Sequence, residues 1–275
     1  MRVACVQMRS GISREENTAN ALALIAEAAG QGASFIATPE MTNAVDRDAK
    51  RLASGLPNSG VLPEITAFAA VAAKHGVTLL IGSVAEKRED GTIANRSYLL
   101  GPDGGTIATY DKVHMFDVAL PNGETWRESS VYAPGDRAVI ANLGAVKLGL
   151  TICYDLRFPT FFRNLAQAGA NVFVVPAAFT RQTGKAHWET LLRARAIENG
   201  AFVIAPGQGG HHEDGRDTYG HSMIIGPWGE HIASMDHDAP GVLVADIDLA
   251  MAAAARARIP NLALERSVEI VKLPS

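Results

Sequence analysis

The chain has two cysteines in 275 residues, and only one of them sits where a thiol could do chemistry. Cys153 follows the apolar run Val146–Ile152 and opens the segment Tyr154-Asp155-Leu156-Arg157, whereas Cys5 lies inside an apolar run and reads as a small buried hydrophobe. A thiol is mostly protonated at neutral pH, so a nucleophilic cysteine needs a base or a positive field. Glu40, after the run Phe35–Ala37, is the candidate base, provided that burial raises its pKa toward the working pH. Lys112, after a short run ending near Tyr110, is the candidate ammonium for an oxyanion formed on a carbonyl carbon. Arg157 suits an anionic group on a substrate. A helix starting at Pro159 would add positive potential near the thiol.

These residues need a scaffold that brings strand ends together. Apolar periodicity places short strands at 3–8, 35–37, 77–84, 97–100, 106–109, 146–152, 171–175, 202–205, 222–225 and 242–247. Helical spacing places helices at 17–29, 63–75, 159–168, 187–198 and 249–258. Gly76 closes the second, and Arg256 and Arg258 suit the dipole of the last. Alternating strands and helices argue an α/β fold. About a dozen strands strain a single covered sheet, so two mixed sheets packed together with helices outside fit better. In α/β sheets reactive groups gather beyond the carboxyl ends of strands, where Glu40, Lys112 and Cys153 all fall. The loop of Phe179, after the strand at 171–175, is expected on the same edge as Cys153.

Composition narrows the function classes. Apolar residues make up 47% and charged residues 20%, enough for a sizeable core and too apolar for global disorder. A net charge of −4 argues against a nucleic-acid partner. The apolar runs fall short of the roughly 20 residues of a spanning helix, so no membrane partner is expected. The N-terminus lacks a signal-peptide layout and two cysteines make no disulfide framework, which together suggest a cytoplasmic protein. No composition shift divides the chain, so residues 1–275 read as a single domain. His211, His212 and His221 fit no standard zinc spacing, so no metal is expected, and their loop reads as one that shapes substrate choice.

The local words around the three candidates are Thr38-Pro39-Glu40-Met41, Tyr110-Asp111-Lys112-Val113-His114-Met115-Phe116-Asp117 and Leu150-Thr151-Ile152-Cys153-Tyr154-Asp155-Leu156-Arg157-Phe158-Pro159. Together and in this order they resemble the nitrilase (carbon–nitrogen hydrolase) superfamily, whose members share a Glu–Lys–Cys triad. Pro176-Ala177-Ala178-Phe179, Thr183-Gly184-Lys185-Ala186-His187-Trp188, Leu191-Leu192-Arg193-Ala194-Arg195-Ala196-Ile197-Glu198 and Tyr219-Gly220-His221-Ser222 are similar to its Nit branch, on the side of the deaminated glutathione amidases.

The resemblance implies an αββα sandwich, no cofactor, and a homodimer or higher homo-oligomer formed through outer helices. It implies an amidase that converts a small ω-amide to a carboxylate and ammonia through a thioester. Cys153 would be the nucleophile, Glu40 the general base and acid, and Lys112 with the Tyr154 N–H the oxyanion site. Glu128 would position substrate and triad, and Arg157, Phe179 and Thr183 would hold an α-keto-carboxylate. An ω-amidase acting on α-ketoglutaramate, an N-carbamoyl amidase, a nitrilase and a catalytically silent scaffold remain alternatives at this stage.

Overall fold

A computed structural model describes residues 1–57, 62–121 and 123–273. The first sheet is built from β1 (Arg2–Gln7), β2 (Phe35–Ala37), β3 (Thr78–Lys87), β4 (Ile93–Leu100) and β5 (Thr106–Asp111). Two hairpin strands follow, β6 (Asp117–Ala119) and β7 (Thr125–Arg127). The second sheet uses β8 (Val139–Leu143), β9 (Val146–Leu150), β10 (Val172–Val174) and β11 (Phe202–Ala205). After the small hairpin β12 (Gly209–His211) and β13 (Asp217–Tyr219) come β14 (Met223–Ile225), β15 (His231–Ser234) and β16 (Gly241–Asp246). The helices are α1 (Arg14–Gly30), α2 (Ala49–Gly55), α3 (Pro63–His75), α4 (Pro159–Gln167), α5 (Arg181–Asn199) and α6 (Ala250–Arg258).

Both large sheets are mixed and six-stranded. Their orders are β16-β1-β2-β3-β4-β5 and β15-β14-β11-β10-β9-β8. In each, three neighbouring strands run parallel (β1, β2, β3 and β9, β10, β11) and the remaining pairings are antiparallel. Alternation along the strands decides the layering. Val3, Cys5, Phe35, Ala37 and Leu80 join Leu148, Leu150, Val172 and Ile204 in a core between the sheets. Ala4, Val6, Ile36, Leu79 and Ile81 face the other way, onto Ile25 of α1 and Phe68 of α3. Phe162 of α4 and Trp188 and Leu192 of α5 cover the second sheet. The result is the expected αββα sandwich.

The helix ends obey local chemistry. The Ser13 side chain accepts from the Glu16 N–H at the start of α1, and Gly76 closes α3 in the left-handed conformation at φ 62°. Several bounds differ from the sequence reading, α1 and β4 starting three and four residues early, and the largest difference is at α5, which that reading began at His187. The helix starts six residues earlier because the Thr180 hydroxyl caps it at the Thr183 N–H. Gly184 is helical despite its low propensity: a Cβ there would meet the Tyr219 side chain at 2.3 Å. Within α5, Arg193 pairs with Glu189 at 3.4 Å and Arg195 with Glu198 at 2.9 Å. Among the described residues, no helix is long and apolar enough to cross a membrane.

Candidate active site

Glu40 lies just past β2, in a loop clamped over β3. The Thr38 N–H donates to Leu80 O, the Thr42 N–H to Ser83 O, and the Met41 N–H to the Ser83 hydroxyl. The fit leaves no room at Gly82, where a Cβ would stand 2.1 Å from Thr38 O and 2.4 Å from Pro39 O. From the other side, the Gln208 amide donates to Glu40 O at 3.1 Å and Met41 O at 3.2 Å. Lys112 follows β5 directly. Its N–H donates to Asn95 O and its carbonyl accepts from Gly135 N–H at 2.7 Å.

Cys153 follows β9 and opens a 3-10 turn, Cys153–Arg157. It is one of three non-glycine residues at positive φ among the described residues, at 47°. Such a conformation persists only where the surroundings impose it. Here the Cys153 N–H donates to Pro176 O at 2.9 Å, and the fully buried Asp155 carboxylate ties the turn down. That carboxylate accepts from Ile152 N–H at 2.8 Å, Tyr110 OH at 2.7 Å and His114 N–H at 3.1 Å, and pairs with His114 Nδ1 at 2.7 Å. One aspartate thus fastens the cysteine turn to the segment that carries Lys112.

The three side chains and Glu128 meet at one cavity of about 320 Å3, which all four line. Lys112 Nζ donates to Glu40 Oε1 at 2.8 Å and to both Glu128 oxygens at 2.8 Å. Glu40 Oε2 accepts from the Ala178 N–H at 2.9 Å, and Glu128 Oε2 from the Phe116 N–H at 2.6 Å. Asn95 donates to Glu40 Oε1 at 3.0 Å and to Glu128 Oε1 at 3.2 Å. Asn95 had escaped notice in the sequence. It lies in β4 beside Arg96 and Ser97, so no break in an apolar run marks it, and it is buried.

The electrostatics correct one expectation. Burial does press on Glu40, but the Lys112 ammonium and hydrogen bonds from Cys153, Lys112 and Asn95 outweigh it and hold the carboxyl below its usual value. Burial opposes the charge on Lys112, yet Glu128, Glu40 and Cys153 raise it well above an ordinary lysine. Burial and then the Glu40 charge push the Cys153 thiol well above its ordinary value, against the pull of Lys112. Glu40 is therefore held as a carboxylate and Lys112 as an ammonium beside a neutral Cys153 thiol. A thiolate would place a further negative charge next to Glu40.

The other expected site residues divide. Tyr154, Phe179 and Thr183 line the cavity, though the Thr183 hydroxyl is engaged by Thr180 at 2.9 Å. The Tyr154 N–H lies in the first turn of its 3-10 segment, where backbone donors lack intrahelical acceptors. Arg157 is not part of the lining. Its guanidinium stands 5.3 Å from the Phe179 ring and 5.9 Å from the Tyr154 ring and contacts His187 Nδ1 at 3.2 Å. Nor do His211, His212 or His221 reach the cavity; their hairpin contributes Arg216, Asp217 and Thr218 instead. Among the described residues, no group of three or more His, Cys, Asp or Glu side chains is placed to hold a metal ion.

A two-sheet sandwich with a thiol, an ammonium and two carboxylates at its strand ends defines a class of hydrolase. The chain matches the carbon–nitrogen hydrolase family over residues 2–257 and belongs to it. It is a hydrolase of carbon–nitrogen bonds other than peptide bonds. Among its relatives is a Synechocystis protein named deaminated glutathione amidase, 38% identical over 263 residues, with 94% of this chain and 96% of that protein covered. The Mus musculus protein of the same name is also 38% identical, covering 94% of this chain and 81% of its own length. Among solved structures, Nit3 of Saccharomyces cerevisiae, a member of branch 10 of the nitrilase superfamily, superposes with a TM-score of 0.85 at 25% identity, covering 94% of each chain. The C. elegans NitFhit protein gives 0.85 at 31% identity, covering 96% of this chain and 65% of that longer one.

Proposed function

We propose that this single-domain protein is a cysteine-dependent amidase for small ω-amides, with deaminated glutathione as its leading substrate. The observation that carries the reading is the convergence of Cys153, Glu40, Lys112 and Glu128 on one cavity. The substrate choice is supported by the relatives that bear that name.

In this reading the Cys153 sulfur attacks the amide carbon while its proton passes to the Glu40 carboxylate. Transfer during the attack avoids a standing thiolate. The oxyanion is taken up by Lys112 and the Tyr154 N–H. Among the described residues, all three hydrogen bonds of Lys112 Nζ go to carboxyl oxygens, two of them on Glu128, so the oxyanion displaces one Glu128 contact. The C–N bond then breaks as Glu40 returns its proton to the nitrogen. With a primary amide the departing molecule is ammonia. With deaminated glutathione, whose amide nitrogen is substituted, it is the amine of the remaining dipeptide. Glu40 next takes a proton from water, and the hydroxide attacks the thioester. The sulfur leaves and recovers the proton from Glu40. Amide and water have become carboxylic acid and amine, which exchange a proton to give carboxylate and ammonium, with the enzyme unchanged.

The test replaces Cys153 with Ala and follows turnover of deaminated glutathione, α-ketoglutaramate, an N-carbamoyl amine and a short nitrile. The wild type should favour the first and the variant should lose all four. Turnover that survives in Cys153→Ala refutes the thioester route, and a wild type that prefers the carbamoyl or nitrile compound refutes the substrate assignment.

We also propose a cytoplasmic homodimer. Ile197 on α5, Ile259 just past α6 and the terminal Val268, Ile270 and Leu273 are more than half exposed, which suits burial against a second copy. Both cysteines are free thiols, as a reducing compartment keeps them. A monomeric mass by light scattering at micromolar concentration refutes the dimer, and cell fractionation checks the compartment.

A further inference from the structure

Tyr110, His114 and Asp155 lie outside the cavity lining, yet together they hold the two segments that carry Lys112 and Cys153. Among the described residues the Asp155 side chain has four hydrogen-bond donors: the Ile152 N–H, the Tyr110 hydroxyl, the His114 N–H and His114 Nδ1. A carboxylate offers about four lone-pair sites, so this one is saturated. Because a carboxylate only accepts, His114 Nδ1 carries the proton of that contact.

The donors flank the reacting groups. Tyr110 and His114 lie two residues before and two after Lys112, and Ile152 immediately precedes Cys153. Asp155 grips Ile152 twice, since its own N–H donates to Ile152 O at 3.0 Å while its side chain accepts the Ile152 N–H. The ring these bonds close encloses Cys153 and Tyr154, the sources of the thiol and of one oxyanion donor. At the far end of the turn the Phe158 N–H donates to Asp155 O at 2.9 Å, and the Phe158 ring lies flat on the His114 imidazole, with centroids 3.6 Å apart and planes at 13°. His114 therefore holds the turn through both its Nδ1 and its ring face.

Stability alone does not account for the carboxylate. Tyr110, Ile152 and Leu156 around it belong to the apolar core, where apolar packing of equal volume is often at least as stable as a buried charge. What Asp155 supplies is direction: it ties the backbone on both sides of Lys112 to the strained backbone of Cys153. We infer that Asp155, held by His114, is the positioning residue of the oxyanion site, setting the Lys112 ammonium and the Tyr154 N–H relative to the Cys153 sulfur. The inference rests on the amidase reading above and adds to it two residues that meet no substrate.

The experiment is centred on His114, whose side chain is 23% exposed, because Asp155→Asn sets an NH2 group against buried donors and can fail to fold. His114→Phe keeps a ring on Phe158 and deletes the Nδ1–H donor. His114→Asn loses the ring and returns an N–H near the place of Nδ1. With deaminated glutathione, His114→Phe should lower kcat about 10- to 100-fold with KM held within about twofold, and His114→Asn should recover most of that loss. If His114→Phe keeps kcat, if the loss falls on KM, or if both variants lose equally, the inference is overturned. Carbon-13-labelled butanal separates this from the amidase reading. The thiol adds across the aldehyde C=O: the S–C bond forms, and the proton that leaves sulfur ends on the oxygen, which lies where the oxyanion would. The dissociation constant of this hemithioacetal, read by NMR, should rise about tenfold or more in His114→Phe and recover in His114→Asn. That result upholds the inference even for a wild type that hydrolyses no amide. Adducts of equal affinity in wild type and His114→Phe overturn it whatever the turnover. If the wild type forms no adduct, the kinetic comparison decides, and a wild type with neither adduct nor turnover overturns both readings.

Discussion

Replacing Lys112 with Met should change the pH dependence of stability as well as abolish turnover. Lys112 is 1% exposed, and it is bonded to Glu40 at 2% exposure and to Glu128 at 8%. Methionine keeps most of the volume and removes the only ammonium bonded to both carboxylates. Removing one partner of a buried ion pair costs about 3–5 kcal/mol. For a protein of this size, that is a fall in Tm of roughly 6–20 °C. In the wild type the Glu40 carboxyl is held below its unfolded value, so its contribution is present above that value and is lost only as pH falls through the depressed one. In the variant, burial acts without its main opponent and the folded carboxyl rises above its unfolded value. Its contribution is then greatest in acid and is lost as pH climbs through the raised value. The deficit in Tm should therefore be largest at pH 7–8 and shrink toward pH 5. Thermal melts followed by circular dichroism across this range read it directly. A deficit independent of pH, or one that grows in acid, would refute the claim that Lys112 keeps the buried Glu40 carboxyl ionised.

Two further outcomes follow from the same geometry. The Glu40 charge is the largest influence after burial that keeps the Cys153 thiol protonated, so Glu40→Gln should speed iodoacetamide labelling of Cys153 at pH 8 while eliminating amide turnover. Mass spectrometry of the labelled peptide checks this, and the fully buried Cys5, whose thiol burial also pushes up, should stay unlabelled. Gly82→Ala puts a methyl group against the backbone carbonyls of Thr38 and Pro39, so the loop carrying Glu40 must shift. The expected cost is about 1–3 kcal/mol in stability, with a larger proportional loss of kcat than of thermal tolerance.

The catalytic cluster was legible because each member directly follows a short apolar run, so the strand pattern and the chemistry reinforced each other. Helices with a proline start and a glycine stop were legible too: α3 has the bounds its sequence suggests. Arg157 was expected at the substrate from the resemblance, and it lies outside the cavity lining, at the end of the 3-10 turn Cys153–Arg157. Arg216, which does line the cavity, carried no signal because it sits in the turn of a short hairpin, β12–β13, that three residues of alternation cannot announce. The protonation state of Glu40 was misjudged because burial alone was weighed, and the number of cationic and amide donors around a carboxylate is a tertiary fact.

Glu40 and Lys112 extend from the first sheet, and Cys153 extends from the second. Thiol and carboxylate thus belong to different slabs of the molecule, and their spacing is set where Phe35 and Leu80 mesh with Leu148 and Val172. Trimming or swelling those remote side chains would slide one slab on the other by fractions of an ångström. Drift in the buried apolar seam could therefore retune reaction speed without touching any residue that meets the substrate.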